Sequence, residues 1–263
     1  MRPIITLTTD FGIDDPFVGV MKGVILNICP KAEIIDLTHS IEPQNLFHAA
    51  HTLKESVSYF PPNTIHLAVV DPGVGGNRKG LAIKTDNFFF IGPDNGIFSP
   101  FLENFQAVEL TNQEVFLKPV SATFHGRDIF SPVAAWIANG KPFEKLGKIL
   151  EKPTVLALSQ PQIDDQILKG EVIYRDHFGN LTTNISKDLV SKFLGEDLDG
   201  IKVYLKDETK ISLVTHYELG LVNSLSALIN SWDKIEIFCN KGNASETFKV
   251  SVGDPIEIKR DLT

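Results

Sequence analysis

The stretch Leu67-Ala-Val-Val-Asp-Pro-Gly-Val-Gly-Gly-Asn-Arg78 limits the fold of this 263-residue chain more than any other. Leu67 to Val70 is a short apolar run bounded by turn residues, the pattern of a buried strand. It runs straight into Asp71, then Pro72-Gly73 and Gly75-Gly76, and ends at Arg78. A carboxylate at the tip of a buried strand, followed by glycines and a guanidinium, stands where open α/β sheets keep their ligands. Asp before Pro-Gly is also good turn chemistry in itself, so a plain capped turn accounts for the same residues.

The preceding residues give that strand its context. Ile4–Leu7 reads as a strand, ended by Thr8-Thr-Asp-Phe-Gly12. Asp14-Asp15-Pro16 opens a helix, with proline favoured in the first turn. Phe17, Val20, Met21, Val24 and Ile28 recur on one face of it, until Pro30. Ile34–Leu37 is a second strand, followed by Thr38-His39-Ser40. A second helix runs from about Asn45 to Tyr59, with Leu46, Ala49, Ala50 and Leu53 on one side and Pro61-Pro62 at its end. The order is βαβαβ, which predicts a parallel sheet with right-handed crossovers.

Leu81–Lys84 and Asn87–Ile91 read as an antiparallel pair, Gly92-Pro-Asp-Asn-Gly96 as a dense turn and Val115–Leu117 as a short strand. Thr123-Phe-His-Gly-Arg-Asp128 opens a helix spanning Ile129–Asn139, with Gly140 as its stop. Lys152-Pro153 through Gln160-Pro161 reads as a linker around a short strand. Beyond it lie strand-like runs at Gly170–Tyr174, Leu181–Ile185, Ile201–Tyr204, Lys210–Val214, Leu225–Ile229, Ile235–Phe238 and Pro255–Ile258. That spacing predicts a small all-β barrel or sandwich. The expected architecture is an α/β domain with a mainly parallel sheet over 1–160, then a smaller barrel-like β domain over 161–263.

Composition narrows the partners. Apolar content of 43% and charged content of 22% are those of a globular protein, and a net charge of −8 argues against nucleic acid. Cys29 and Cys239 lack disulfide-framework or zinc spacing and read as small buried hydrophobes. No apolar run reaches membrane-span length, and the first strand meets Asp10 too soon for a signal peptide. The expectation is a cytoplasmic protein without membrane or nucleic-acid partners.

Asp10, Asp36, Thr38, His39 and Asp71 stand at the ends of predicted parallel strands, which line one crevice in such sheets. Dinucleotide and triphosphate motifs are absent. Asp10 suits a ribose diol or, equally, the start of a helix. His48 and His51 have helical spacing for a metal, but lack the H-E-x-x-H pattern and fit a polar helix face. His66 reads as a packed or edge histidine, and Phe88-Phe89-Phe90 as core and cover. His125-Gly126-Arg127-Asp128 concentrates charge at a helix start, where Asp128 reads as a first-turn carboxylate. Asp176-His-Phe-Gly-Asn180 offers a carboxylate, an aromatic face and an amide; a hairpin turn at Gly179-Asn180 and a core role for Phe178 explain it as well.

Together, these stretches resemble the S-adenosyl-L-methionine hydroxide adenosyltransferase family, hydrolase relatives of the S-adenosylmethionine-dependent fluorinase and chlorinase. The matching residues are Thr8–Gly12, Phe17-Val-Gly-Val-Met-Lys-Gly23, Asp36-Leu-Thr-His-Ser40, Val69-Val-Asp-Pro-Gly-Val-Gly75, Gly92–Gly96, Thr123–Arg127, Asp176–Asn180, Asn230-Ser231 and Gly242-Asn-Ala244. They follow the family's order over nearly the whole chain. The resemblance implies an α/β domain, a C-terminal barrel-like domain, and a homotrimer with sites between subunits.

It also implies residue roles. Asp71, Arg78 and His125 are the water-activating trio. Asp10 holds the ribose hydroxyls, and Val74 and Gly126 adjoin the substrate. Asp176 and Ser231 take the methionine amino-acid end, while Phe178, Asn180, Tyr217, Asn243 and Ala244 surround adenine. The halogenases carry tyrosine at the positions of Asp71 and His125, so the implied nucleophile is hydroxide rather than halide. The chain departs from the pattern at Asn223-Ser224, where the family usually has Gly-Glu, and at Trp232, where the fluorinase has arginine. The implied reaction is hydrolysis of S-adenosyl-L-methionine to adenosine and L-methionine, with no metal or other cofactor. The alternatives are a halogenase and a sensor that binds S-adenosylmethionine or adenosine with little turnover.

Overall fold

The apolar run that ends at Asp71 lies inside a sheet in the computed structural model, which describes residues 2–195 and 201–260. The chain forms two units that divide between Ala157 and Leu158. The first unit contains β1 (Ile4–Thr9), α1 (Phe17–Ile28), β2 (Glu33–Thr38), α2 (Leu46–Ser56), β3 (Thr64–Val69), β4 (Gly80–Lys84), β5 (Phe88–Pro93), β6 (Gln106–Leu110), α3 (Ser131–Ala138) and β7 (Gly147–Ile149). Their sheet order is β2-β1-β3-β5-β4-β6-β7. The pairs β1/β2, β1/β3 and β3/β5 are parallel, and the rest antiparallel.

β3 is buried along its whole length because both sheet faces are covered. Ile65, Leu67 and Val69 join Ile5 and Leu7 in a cluster with residues of α1 and α3. Ala68 belongs to the opposite cluster, with Ala49 and Leu53 of α2. On that second face His66 is packed, not at an edge: it is fully buried, bonds Thr6 at 2.8 Å and stacks on Phe90. Burial pushes its pKa down to about 4.

Several local expectations require correction. The buried stripe of α1 is Val18, Met21 and Ile25, whereas Phe17 and Val20 are exposed. That helix is apolar on more than one side, so periodicity alone chooses the wrong stripe. On α2, capped by the Asn45 side chain, His51 is buried rather than part of a polar face, and its Nδ1 lies 3.8 Å from Glu55. Val115 closes a 3₁₀ turn instead of opening a strand; the missing strand is β6. The predicted strand within the linker is absent among the described residues. Thr154 and Leu156 instead donate their N–H groups to the side chains of Asp94 and Ser99.

The second unit contains β8 (Gln162–Asp164), β9 (Ile167–Arg175), β10 (Leu181–Ser186), α4 (Lys187–Leu194), β11 (Lys202–Leu205), β12 (Lys210–Ser212), β13 (Leu225–Ile229), β14 (Lys234–Cys239), α5 (Ala244–Phe248) and β15 (Pro255–Lys259). The antiparallel order is β12-β11-β15-β9-β10-β14-β13, with β8 on β9. A bridge between Leu213 and Ala227 nearly closes the barrel. Its core includes Leu168, Val172, Leu181, Ile237 and Ile256. The unit is not wholly β. Ser186 accepts from Leu189 N–H and caps α4, whose Val190 and Phe193 cover the core.

Candidate active site

Asp71 follows the end of β3, where Asn95 donates to the Val70 carbonyl at 2.8 Å and pins the strand tip. Tight turns, Val74 N–H to Asp71 O and Gly76 N–H to Gly73 O, fold the next residues back. Gly75 makes this possible: its φ is +75°, and a Cβ there would stand 2.2 Å from the Ala122 carbonyl oxygen. The fold-back brings Arg78 over Asp71. Arg78 Nε donates to Asp71 Oδ1 at 2.8 Å and to Oδ2 at 3.0 Å, and Nη2 also donates to Oδ2. The same Nη2 lies 2.6 Å from His125 Nδ1. Phe130, fully buried, lies beneath, its ring centroid 5.3 Å from the Arg78 guanidinium carbon and 6.5 Å from the His125 ring.

Hydrogen-bond direction then decides the histidine's state. A guanidinium has donors only, so Nδ1 must present its lone pair and the neutral ring carries its proton on Nε2. Desolvation and the Arg78 charge lower the His125 pKa, against opposing contributions from Asp71 and Asp128. His125 is therefore neutral at pH 7.

Asp71 and His125 line a cavity of about 430 Å³ with Asp10, Val74 and Gly126. That volume lies within the range of small-molecule sites. These five predicted residues come together on one wall system, with Arg78 between Asp71 and His125. Asp10 does not cap α1: its Oδ2 accepts from Gln44 N–H at 2.9 Å, across to the loop before α2. The sequence reading missed much of the lining, namely Phe11, Phe17, Gln44, Thr123 and Phe124. Phe11, Phe17 and Phe124 pack edge to face with centroids 5.4 to 6.0 Å apart. The available signal was Phe17, an apolar residue beside the buried stripe of α1.

His125 leads into a π turn, Gly126–Phe130, which precedes α3. Such turns are rare and cluster at functional sites. Asp128 stands in the first turn, as the sequence suggests, but it does more than face a helix start. It is fully buried, takes Arg127 Nε and Nη2 at 2.6 and 2.9 Å, and accepts Ser121 N–H at 2.8 Å. Burial opposes its ionisation, but these bonds hold its pKa below the usual value.

In the second unit, Asp176 accepts from both the backbone and side-chain N–H groups of Asn180, at 2.8 and 3.0 Å. Between them Gly179 has φ +84°, and a Cβ there would stand 2.0 Å from Asn243 Oδ1, so the hairpin and the loop before α5 touch. Asn243 caps α5, which begins at Ala244. Phe178 is no core residue, being 72% exposed. Tyr217 is half exposed, with its hydroxyl donating to Glu236 at 2.7 Å and its ring edge-on to Phe238. Glu236, buried and unpredicted, also accepts from Asn230 at 3.1 Å; burial raises its pKa against both bonds. Ser231 is exposed on the turn between β13 and β14.

Cys29 and Cys239 are both free and buried. Among the described residues no group of three or more His, Cys, Asp or Glu is arranged around a possible metal position, and no helix is long and apolar enough to cross a membrane. The His48 N–H donates to Asn45, and its Nδ1 accepts from Glu42 N–H at 3.2 Å.

The chain is 40% identical to a (R)-S-adenosyl-L-methionine hydrolase of Methanocaldococcus jannaschii, over 97% of this chain and 95% of that one. The crystal structure of a conserved protein from Thermotoga maritima superposes with a TM-score of 0.91 at 40% identity, covering 97% of this chain and all of the other. A fluorinase of Actinopolyspora mzabensis is more distant, at 25% identity over 98% of both chains. Residues 5–147 match the model of the SAM hydroxide adenosyltransferase N-terminal domain, and residues 170–257 that of its C-terminal domain. The chain belongs to the S-adenosyl-L-methionine hydroxide adenosyltransferase family.

Proposed function

We propose that this chain hydrolyses S-adenosyl-L-methionine to adenosine and L-methionine. The observation that carries the reading is the Asp71–Arg78–His125 cluster at a cavity wall, in a chain of this family. Water attacks C5′, the C5′–S bond breaks with its electron pair, and methionine departs as a neutral thioether. The leaving group therefore needs no acid. The demand falls on the nucleophile, since water has a pKa of about 15.7.

In the assignment we propose, Asp71 takes the water proton, Arg78 stabilises the nascent hydroxide, and His125 orients it through the Nε2 proton that its bond to Arg78 leaves in place. Hydroxide and sulfonium lose their charges together, so the apolar lining of Phe11, Phe17 and Phe124 favours the transition state over separated ions. Holding both reactants in line contributes up to about 7–11 kcal/mol. Asp10 binds the ribose hydroxyls, with Val74 and Gly126 against the substrate. Asp176 and Ser231 take the methionine amino-acid end, and Phe178, Asn180, Tyr217, Asn243 and Ala244 surround adenine. The exposure of the Phe178 and Tyr217 rings supports a stacking role. A carboxylate at Asp71 disfavours a halide nucleophile. The working form is a homotrimer, without a metal or other cofactor.

Incubation with S-adenosylmethionine in ¹⁸O-water, followed by mass spectrometry, tests this. Adenosine carrying ¹⁸O at the 5′ oxygen is expected, unchanged by chloride or by prior dialysis against a chelator. A 5′-chloro product would establish the halogenase reading. Tight binding without cleavage would establish the sensor. Sedimentation of the same preparation at three times the 29.1 kDa chain mass is expected.

A further inference from the structure

The segment Asp36-Leu-Thr-His39 has no part in the reaction as assigned above, yet it is tied to the cavity wall by an ordered series of contacts. Lys22 Nζ donates to Asp36 Oδ2 at 2.6 Å, and Asp36 Oδ1 lies 3.0 Å from His39 Nε2. His39 Nδ1 lies 2.9 Å from Thr9 Oγ1, and Thr9 Oγ1 accepts from Phe11 N–H at 3.2 Å. His39 and Thr9 are both buried. One proton arrangement suits the neutral series best. The Asp36 carboxylate is within ion-pair distance of Nε2 without an aligned hydrogen bond, and so close an anion favours a proton on that nitrogen. The Nδ1 lone pair then takes the Thr9 hydroxyl proton, leaving a Thr9 lone pair for Phe11.

Around this series the two loops are zipped together. Gly12 N–H donates to His39 O at 2.8 Å, Ile41 N–H to Thr9 O at 3.3 Å, and Gln44 N–H to Asp10 Oδ2 at 2.9 Å. Asp10, Phe11 and Gln44 all line the cavity; His39 and Thr9 are absent from the lining. We propose that His39 is a positioning residue that acts through the Thr9 hydroxyl to set the Asp10–Phe11 turn, and so aims the carboxylate that holds the ribose hydroxyls. The inference rests on the proposed reaction. Asp36 completes the device from behind, its carboxylate 3.0 Å from Nε2 favouring the tautomer with the proton there, as carboxylates behind metal-bound histidines do.

The test separates the two ring nitrogens. Asn at position 39 places its amide near the position of Nδ1, whereas Gln reaches toward that of Nε2. His39→Gln and Thr9→Val are expected to raise KM for S-adenosylmethionine about tenfold to a hundredfold, with kcat changed far less. His39→Asn stays within about threefold of the wild type, and its thermal unfolding shows whether position 39 tolerates change. Each variant is also assayed on the 2′-deoxy analogue of the substrate, where the Asp10 contact is weakened. A Thr9→Val penalty that shrinks on the analogue supports positioning through Asp10. An equal penalty on both substrates, or none on S-adenosylmethionine, overturns it. A wild-type enzyme that cleaves neither substrate refutes the proposed reaction instead.

Discussion

Asp71→Asn keeps the shape of the side chain and removes its charge. The Asp71 and Arg78 side chains are only 5% and 12% exposed, so both ions are largely desolvated. Asparagine retains one oxygen for Arg78 Nε but sets an NH₂ group against Nη2. The larger effect is the guanidinium left buried without its counter-charge. Breaking a buried pair in this way costs about 3–5 kcal/mol, against about 1.5–3 kcal/mol for a lost charge-assisted hydrogen bond alone. For a unit of this size the larger figure corresponds to a fall in Tm of roughly 6–20 °C. The assay can be confined to the first unit, because the two tryptophans divide one to each: Trp136 in α3 and Trp232 after β13. With Trp232→Phe as background, Trp136 fluorescence in urea reports the first unit alone.

The double substitution Asp71→Leu with Arg78→Met provides the control. Replacing both ions by apolar groups of similar size is often neutral or stabilising, so it is expected to recover most of the stability loss while abolishing turnover. Two results would refute the reasoning: Asp71→Asn within about 0.5 kcal/mol of the wild type, or a double variant as unstable as the single one.

The His125 pKa is lowered by desolvation and Arg78, so kcat/KM should hold as pH falls through 6.5, His's usual value, and drop only below it, when a proton on Nδ1 displaces Arg78. The same group contributes stability that is present above pH 6.5 and lost as pH falls through the lowered value; pH-rate and pH-melting profiles check both signs. For Glu236 the sign is opposite: its raised pKa means the second unit gains stability from this group as pH falls through it, measurable by Trp232 fluorescence with Trp136→Phe. Tyr217→Phe removes a hydrogen bond to that buried carboxylate, and is expected to cost the second unit about 1.5–3 kcal/mol in urea unfolding. Gly75→Ala must move the Ala122 carbonyl, 2.2 Å from the new methyl, so turnover should fall with the fold intact by circular dichroism.

How much of this was legible in the sequence depends on what each residue had to reveal. The βαβαβ order was readable because Pro16, Pro30 and Pro61 punctuate apolar runs of distinct period, and those runs are β1, α1, β2, α2 and β3. The strand tips before Asp10 and Asp71 were readable for the same reason, whereas Asp36 lies inside β2, which runs on to Thr38. β6 was not: Gln106-Ala-Val-Glu-Leu110 has weak alternation and lies between turns. Nor was α4, where the Ser186 cap precedes a short amphipathic run that resembles the surrounding strands. Aromatic residues were the least legible, because a ring looks alike in sequence whether buried as Phe90 is or exposed as Phe178 is. Phe17 counted toward the core stripe of α1, and the structure sets it at the cavity instead.

The deepest gap concerns direction rather than proximity. The family resemblance implied that Asp71, Arg78 and His125 act together, but three residues in reach of one another still allow several proton arrangements. What narrows them is that both neighbours are served by one guanidinium. Nη2 donates to Asp71 and faces His125 Nδ1, and arginine cannot accept in return. Asp71 must therefore be the anion and His125 the neutral acceptor, with its remaining N–H on Nε2. Arg78 thus sets the protonation of both partners before any substrate arrives. The same logic, run through Asp36 instead of an arginine, sets His39. Two histidines, one half-buried at the cavity and one buried behind it, end with the same tautomer for opposite reasons: a donor fixes Nδ1 in the first, and a carboxylate close by favours a proton on Nε2 in the second.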